Sequence, residues 1–516
     1  MPKRDTLVNP WIIAVSVMLG TFMEVLDTTV VNVSLPHIAG NVGATVDEAT
    51  WVLTSYLVAN AIVLPMTGWL SNQFGRKRIL MTSIVGFTVS SVLCGLAPNL
   101  PFLIIFRIIQ GATGGGLQPL SQAIMLEAFP PEDRGKAMAF WGLGIVVAPM
   151  LGPVIGGWIT DNYSWRWIFY LNLPVGVAAM VMSKLFIFDP HYIGRKTRVD
   201  WWGIGYLALG IGALQVLLDK GQEEDWLSSD FIRVLIVMTI CGLAFFVIRE
   251  LTAEHPIVDL RVFKIRTYAT GVFLMTIVGF VLYGSIVLIP IFLQTLLGYS
   301  SLQAGWAMLP RGLGAFIAMP FVGMLMSKVE PRKLLFLGFL VAAYSMWDLG
   351  NINLNAGYWD VFWPQFIQGV AMGFLFVPLT TITHDPIPKE RMGNATSVFN
   401  LMRNIGGSVG IAMVTTIVAR RTQSNTNILG ANVTPFSPAA QQMIAAARAG
   451  FMARGMDAYT ATRQAYAAVF GMVQQQAAML SFVGAFRLLG IMFLCVLPLI
   501  LLMKKPRHAA GAAPMD

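Results

Sequence analysis

The stretch GLGIVVAPMLGPVIGGW, residues 142–158, decides the fold. It lies inside a run, 137–159, that carries no ionisable side chain. That run is long enough to cross a bilayer as a helix, which takes roughly 20 residues. Its two prolines and five glycines would cost a soluble helix several kcal/mol, at about 1 per Gly and about 3 per Pro. In lipid an opened backbone costs more, because its polar groups meet no water, so the expectation is a bent helix with a smooth flank. Gly144, Ala148, Gly152 and Gly156 recur every four positions and share a face on which another helix can approach closely. The pattern suits the packing face of any many-span membrane protein, and equally the seam of one whose halves move.

Composition selects the class. Of 516 residues, 56% are hydrophobic and 12% charged, against about 25% charged in soluble domains, which makes this a membrane protein. The net charge of +9 does not point to nucleic acid, because the basic residues form no single patch; they are dealt out between apolar runs and set orientation. Cys94, Cys241 and Cys495 sit in separate apolar runs and read as small core hydrophobes rather than a disulfide framework. Lys3 and Arg4 precede an apolar run like that of a secretory signal, but no small-residue cleavage site follows, so it reads as a retained first span.

Apolar runs of bilayer length number 14, at 11–35, 49–71, 79–97, 101–126, 136–160, 165–187, 201–219, 231–250, 268–294, 302–326, 333–350, 359–383, 394–418 and 484–503. The connections test the count. Arg76, Lys77 and Arg78, then Arg134 and Lys136, Arg195, Lys196 and Arg198, Arg261, Lys264 and Arg266, Lys328, Arg332 and Lys333, and Lys389 and Arg391 fall in every second one. The stretches 36–48, 98–100, 295–301 and 351–358 hold no Lys or Arg, 219–230 sets five acids against Lys220, and Arg166 alone sits in a short connection on that side. The basic set is therefore expected in the cytoplasm, with both termini inside. The polar stretch 420–482, helical in character at 439–450 and 458–476, falls outside, either as a tolerated insertion or as a docking surface or lid.

An internal repeat organises the spans. Gly68 with Arg76 and Lys77 is echoed by Gly323 with Arg332 and Lys333; Gln110 and Gly111 are echoed by Gln368 and Gly369. The expected fold is all-α: a six-helix bundle at 1–190, two inserted helices at 191–260, and a second six-helix bundle at 261–516. Parallel halves of this kind build secondary transporters.

Within the first span, Glu24 and Asp27 lie three residues apart on one helix face. A carboxylate at that depth costs at least about 2.5–3.5 kcal/mol, so it must face a cavity or a partner and is a functional candidate. Asp27 and Asn32 belong to LDTTVVNVSLP, residues 26–36. This stretch resembles the first-span motif of the 14-span drug:proton antiporters of the major facilitator superfamily, of the EmrB/QacA type. GWLSNQFGRKR, 68–78, is similar to the superfamily's loop motif, and RIIQG, 107–111, to its fourth-span motif. The opening stretch resembles the antiporter motif, and WRWIFYLNLPVG, 165–176, the most particular mark of the 14-span branch. One departure is Asn72, where the loop motif usually carries Asp, so a charge contact at the inward gate becomes at most a hydrogen bond.

The resemblance implies a proton-coupled exporter. Asp27 is the expected proton carrier, against a structural role bonding Thr28 or Asn32; Glu24 is a second proton site or a contact for cationic drugs. Arg107 must pair within its half, and a first-span carboxylate is the available partner, as a proton switch or a neutralised structural pair. Gly68, Asn72, Gly75 and Arg76, with Gly144, Pro149, Gly152, Pro153, Gly156 and Gly157, are the expected gating positions. Arg311 and Arg403, mid-span cations with no acid beside them, would meet anionic substrate groups or backbone carbonyls. Asn32, Tyr56, Phe280, Tyr283, Gln294, Trp306, Gln365 and Gln368 offer a cavity aromatic and amide groups, as promiscuous binding needs, unless they serve as packing or interface residues. His384 and Asp385 read as a cytoplasmic helix end at the membrane interface, with a proton relay as the alternative.

No Gly-rich Lys-Ser/Thr loop offers to hold nucleotide phosphate, and His and Cys make no metal array, so a proton gradient with no cofactor is the expected driving force. Expected partners are amphipathic or hydrophobic small molecules, protons and the bilayer of a bacterial inner membrane, and no nucleic acid. The resemblance further implies a periplasmic membrane-fusion adaptor and an outer-membrane channel. Two rivals share these motifs: an exporter of one metabolite, such as a fatty acid or siderophore, and a non-transporting receptor or scaffold.

Overall fold

The computed structural model describes residues 9–189, 199–434 and 436–503. Lys3, Arg4, Arg195, Lys196, Arg198 and both termini lie outside them. The chain is all-α, with no strand among the described residues. α1 (Pro10–Val42) starts where the Asn9 side chain accepts the Trp11 N–H at 3.0 Å and Pro10 needs no partner; it stops at Gly43, which takes the left-handed φ of 68°. A single turn, α2 (Val46–Ala49), leads into α3 (Trp51–Phe74) and α4 (Arg76–Leu96).

The span expected at 101–126 is two helices, α5 (Leu100–Gly114) and α6 (Leu117–Ala128). Three consecutive glycines permit the break, and α3 presses into it: a Cβ on Gly115 would meet the Asn60 carbonyl at 2.7 Å. α7 (Arg134–Asn162) holds Pro149 and Pro153 without interruption. The sixth span is also broken, into α8 (Trp167–Tyr170) and α9 (Asn172–Phe186). Then come α10 (Trp201–Lys220) and α11 (Asp230–Thr252), followed by α12 (Arg266–Thr295), α13 (Ser301–Leu325), α14 (Pro331–Leu349) and α15 (Tyr358–His384). The stretch 420–482 is no loop. α16 (Met392–Gly430) extends beyond bilayer length, α17 (Pro438–Ala453) folds back, and α18 (Ala458–Cys495) returns into the bundle.

Thirteen helical segments among the described residues are long and apolar enough to cross a membrane. The expected span at 333–350 is α14, which stands outside that set; its 19 residues carry Arg332 and Lys333 at one end and Asp348 at the other.

Contacts sort the helices into two groups. In the first, α1 packs on α6, α7 and α9, and α5 on α3 and α4; in the second, α12 to α16 and α18 pack on one another. The groups meet where α7 lies on α13 and α3 on α16. At the end bearing the basic connections this seam is shut: a Cβ on Gly68 would lie 2.6 Å from the Asn394 backbone, and one on Gly323 2.9 Å from Ala139. The inserted pair, α10 and α11, lies against both groups. Lys220 Nζ donates to Thr50 Oγ1 at 2.5 Å and Thr54 donates to Asp219, while Ser408 Oγ donates to Gln215 at 3.1 Å and Trp226 Nε1 to Thr416 at 3.0 Å. Asp225 and Trp226 hold left-handed φ values of 51° and 50° to aim that indole, a conformation that costs a side-chain-bearing residue of order 1–3 kcal/mol.

One expectation needs correction. Cys94 is buried, but Cys241 and Cys495 are exposed; an apolar run in a membrane helix faces lipid as readily as core. His384 closes α15, at the helix end expected for it, and is fully buried, with Nδ1 2.8 Å from the Thr380 carbonyl and its ring against Tyr268 and Phe399.

Candidate functional site: two carboxylates facing different neighbours

α5 begins at Asn99, whose side chain accepts the Phe102 N–H, and this sets its phase. Phe102, Ile105, Ile108 and Ile109 face outward, while Leu103, Arg107, Gln110, Gly111 and Gly114 face in. Gly111 lets α3 close on this face, since a Cβ there would stand 2.3 Å from the Tyr56 carbonyl. Arg107 and Gln110, both fully buried, are thus pressed towards α1.

There they meet Asp27, which is 2% exposed. Arg107 Nη1 donates to Asp27 Oδ2 at 2.6 Å; Gln110 Nε2 and Asn172 Nδ2 donate to Oδ1 at 3.1 and 2.7 Å. Arg107 Nε also donates to the Val52 carbonyl, and its guanidinium lies 4.2 Å from the Tyr56 ring centre. Asn172 reaches Asp27 because the break between α8 and α9 places it at a helix start, and it leans on Ser91 Oγ at 2.9 Å. Asp27 therefore faces the interior of the first helix group, not lipid and not the seam. Thr28 bonds the carbonyl of Val25 and leaves Asp27 alone.

Glu24, one turn away, points elsewhere. It is 3% exposed; Oε1 accepts from Asn60 Nδ2 at 2.9 Å, and Oε2 has no partner. Gln118 of α6 and Arg403 of α16 also act on its carboxylate. Two acids three residues apart lie about 60° apart around a helix, enough to give them different neighbours.

The second group holds a related nest with its charge moved. Arg311 is on α13, where Nε donates to Gln365 at 2.9 Å and Nη2 donates to Gln368, whose Nε2 donates to Ser285 at 3.2 Å. Gly369 abuts the Arg311 carbonyl as Gly111 abuts that of Tyr56. Three residues before the repeated Gln-Gly stands Arg107 in one half and Gln365 in the other. Arg311 makes no salt bridge to a carboxylate among the described residues, and neither does Arg403, which donates to Gln118 and Asn404 and lies 5.9 Å from the Trp141 ring.

The remaining candidates scatter. Tyr56, Phe280, Gln365 and Gln368 are buried, Tyr283 is half-buried against Gly407, and Asn32 and Gln294 are exposed. Trp306, 54% exposed, shares an outward stripe with Leu313, Ile317, Phe321 and Met324, so it belongs to the periphery. Gly144, Gly152 and Gly156 do not serve the seam: they receive Met18, Thr29 and Val30 of α1, within the first group. α7 meets α13 instead through Gly135, Gly142 and Met150, and Gly157 faces open space. Pro149 and Pro153 lie within α7. Asn72 is half-buried; Arg76 pairs with Glu127 of α6; Gly75 turns at a φ of 93° where Asp189 approaches. Sequence reasoning missed Asn172, Asn60 and Gln118, each a polar residue in an apolar run, which was the available signal.

The sequence pattern of the Major Facilitator Superfamily matches residues 17–411. The chain belongs to that superfamily. Among superfamily members, it is 40% identical over 433 residues to the "Multidrug export protein EmrB" of Escherichia coli (strain K12), covering 84% of this chain and 85% of that one. It is 36% identical over 500 residues to the "Fatty acid resistance protein FarB" of Neisseria gonorrhoeae, covering 97% of each. The fold is that of a double Trp mutant of XylE, with a TM-score of 0.61 at 15% identity and 97% of each chain covered. The chain is thus a multi-pass membrane protein of a transporter superfamily, as its motifs led one to expect.

Proposed function

We propose that this protein exports chemically varied amphipathic or hydrophobic compounds in exchange for protons. The export direction rests on the likeness to EmrB over most of the chain. Proton coupling rests on one observation: Asp27 and Arg107 form a fully buried ion pair inside the first helix group. A proton on Asp27 removes its hold on Arg107, Gln110 and Asn172, so α1, α5 and α9 gain a different preferred packing. A ligand shifts an equilibrium only by its differential affinity, and a proton that prefers one packing supplies that difference.

In this reading the helix groups, bounded at about 1–190 and 261–516 with 191–260 between, are the moving halves. Substrate is met at the seam rather than at Asp27 itself, whose oxygens are both taken. The basic connections face the cytoplasm of a bacterial inner membrane, with both termini inside. The projecting α16–α18 hairpin stands on the far side, where a periplasmic adaptor leading to an outer-membrane channel would dock. The test is proton release from energised vesicles on adding several structurally unrelated drugs. Release with only one chemical class would instead favour a single-metabolite exporter, a reading the FarB likeness supports with fatty acids as the class.

A further inference from the structure

Glu24 and Arg403 each lack an ion-pair partner in their own helix group among the described residues. Both are buried, at 3% and 0% exposure, with Glu24 Oε2 and Arg403 Nε and Nη1 unpartnered. A single amide separates them, for Gln118 accepts from Arg403 and acts on Glu24. Arg403 is the last rung of a ladder by which α16 grips α6. Thr396 donates to the Pro119 carbonyl at 3.0 Å, Asn400 donates to Gln122 at 2.6 Å, and Arg403 donates to Gln118. The rungs fall at 396, 400 and 403, one face of α16. These two buried, opposite charges stand on either side of the seam with Gln118 between them, and among the described residues neither makes an ion pair.

We infer that Glu24, Gln118 and Arg403 form a latch between the two helix groups, closed when Glu24 is ionised and released when Glu24 takes up a proton. Protonation turns the carboxylate into a neutral acid while Arg403 keeps its charge, so the attraction across the seam is lost and the ladder loses its end. The groups facing Glu24 are Asp27 on α1, Tyr56 and Asn60 on α3, Gln118 on α6 and Arg403 on α16. Asp27 is already compensated by Arg107, which leaves Arg403 as the cation that answers to Glu24. This deepens the proposed proton coupling, and rests on it, by giving the two carboxylates separate tasks: Asp27 acts inside one half, and Glu24 acts between the halves.

The test uses the full chain in lipid nanodiscs. Spin labels are placed at Glu132→Cys and Glu390→Cys, exposed positions preceding α7 and α16, after Cys241→Ser and Cys495→Ser. In the parent, the closely spaced population should fall at least about twofold from pH near 8 to pH near 5.5, a shift of the size a modest differential affinity produces. Glu24→Gln should show the acid distribution at every pH, and Arg403→Gln likewise. Gln118→Leu, which leaves both charges in place without their bridge, should weaken the response and stands in if Glu24→Gln does not insert. A parental response in Glu24→Gln, or in Arg403→Gln, overturns the latch. Drug-stimulated proton release by the parent is read in parallel. Its absence beside a Glu24-dependent spacing sinks the exporter reading and spares the latch, and its presence beside an indifferent Glu24 does the reverse.

Discussion

Arg107 presents a guanidinium of five N–H donors and no acceptor, and Asp27, Gln110 and the Val52 carbonyl accept from it inside the first helix group. Removing it as Arg107→Ala strands the Asp27 charge and should destabilise the protein by about 3–5 kcal/mol, read by thermal unfolding in detergent. Pairing Asp27→Asn with Arg107→Gln should recover most of that loss, because neither charge is then left alone, while transport stays absent. That Arg107 pairs with a first-span carboxylate was legible in the sequence, and Asp27 is the one it meets. That Asn172 completes the cage was not, since its place depends on the break between α8 and α9. Nor could the sequence say that Glu24 and Asp27 part company; a 60° difference around α1 takes on meaning only once α3, α5, α6 and α9 are packed about it.

Helices here approach through glycine, and the repeat is clearest in those contacts. Gly111 against the Tyr56 carbonyl and Gly369 against that of Arg311 close α3 on α5 and α13 on α15 in the same way. Either Gly→Ala substitution should push its helix pair apart and sharply lower the folded yield, measured by fluorescence-detected gel filtration; an unchanged yield would mean the close approach is dispensable. The glycines of α7 were readable as a packing face, but which helix they receive was not, because spacing gives a face and no neighbour. The inserted pair makes its own prediction. It is tied to α3 through Thr50 and Thr54 and to α16 through Ser408 and Thr416. A short thiol cross-linker joining Gln215→Cys to Ser408→Cys should therefore slow transport at least several-fold, with recovery on reduction. Undiminished transport would show that the pair rides with the second group.

At the scale of the whole molecule, α17 packs against α18, and α16 and α18 both run beyond bilayer length towards it. Replacing 431–457 by a short flexible linker should leave drug-driven proton exchange in vesicles intact and abolish resistance in cells, if that hairpin is where an adaptor sits. Resistance that survives the deletion would place any adaptor elsewhere. The architecture itself was legible because composition, apolar run length and alternating basic connections each point to many spans, and the Gln-Gly repeat to two halves. The seam was not legible. Arg403 meets Gln118 only because two groups far apart in the chain close on each other, and no local pattern records that closure. The central claim is that a proton on Asp27 drives the exchange. It is tested by drug-stimulated proton flux in liposomes holding the parent, Asp27→Asn, or Asp27→Asn with Arg107→Gln. The account predicts flux in the parent and background flux in both variants, whereas parental flux in a folded Asp27→Asn protein would contradict it.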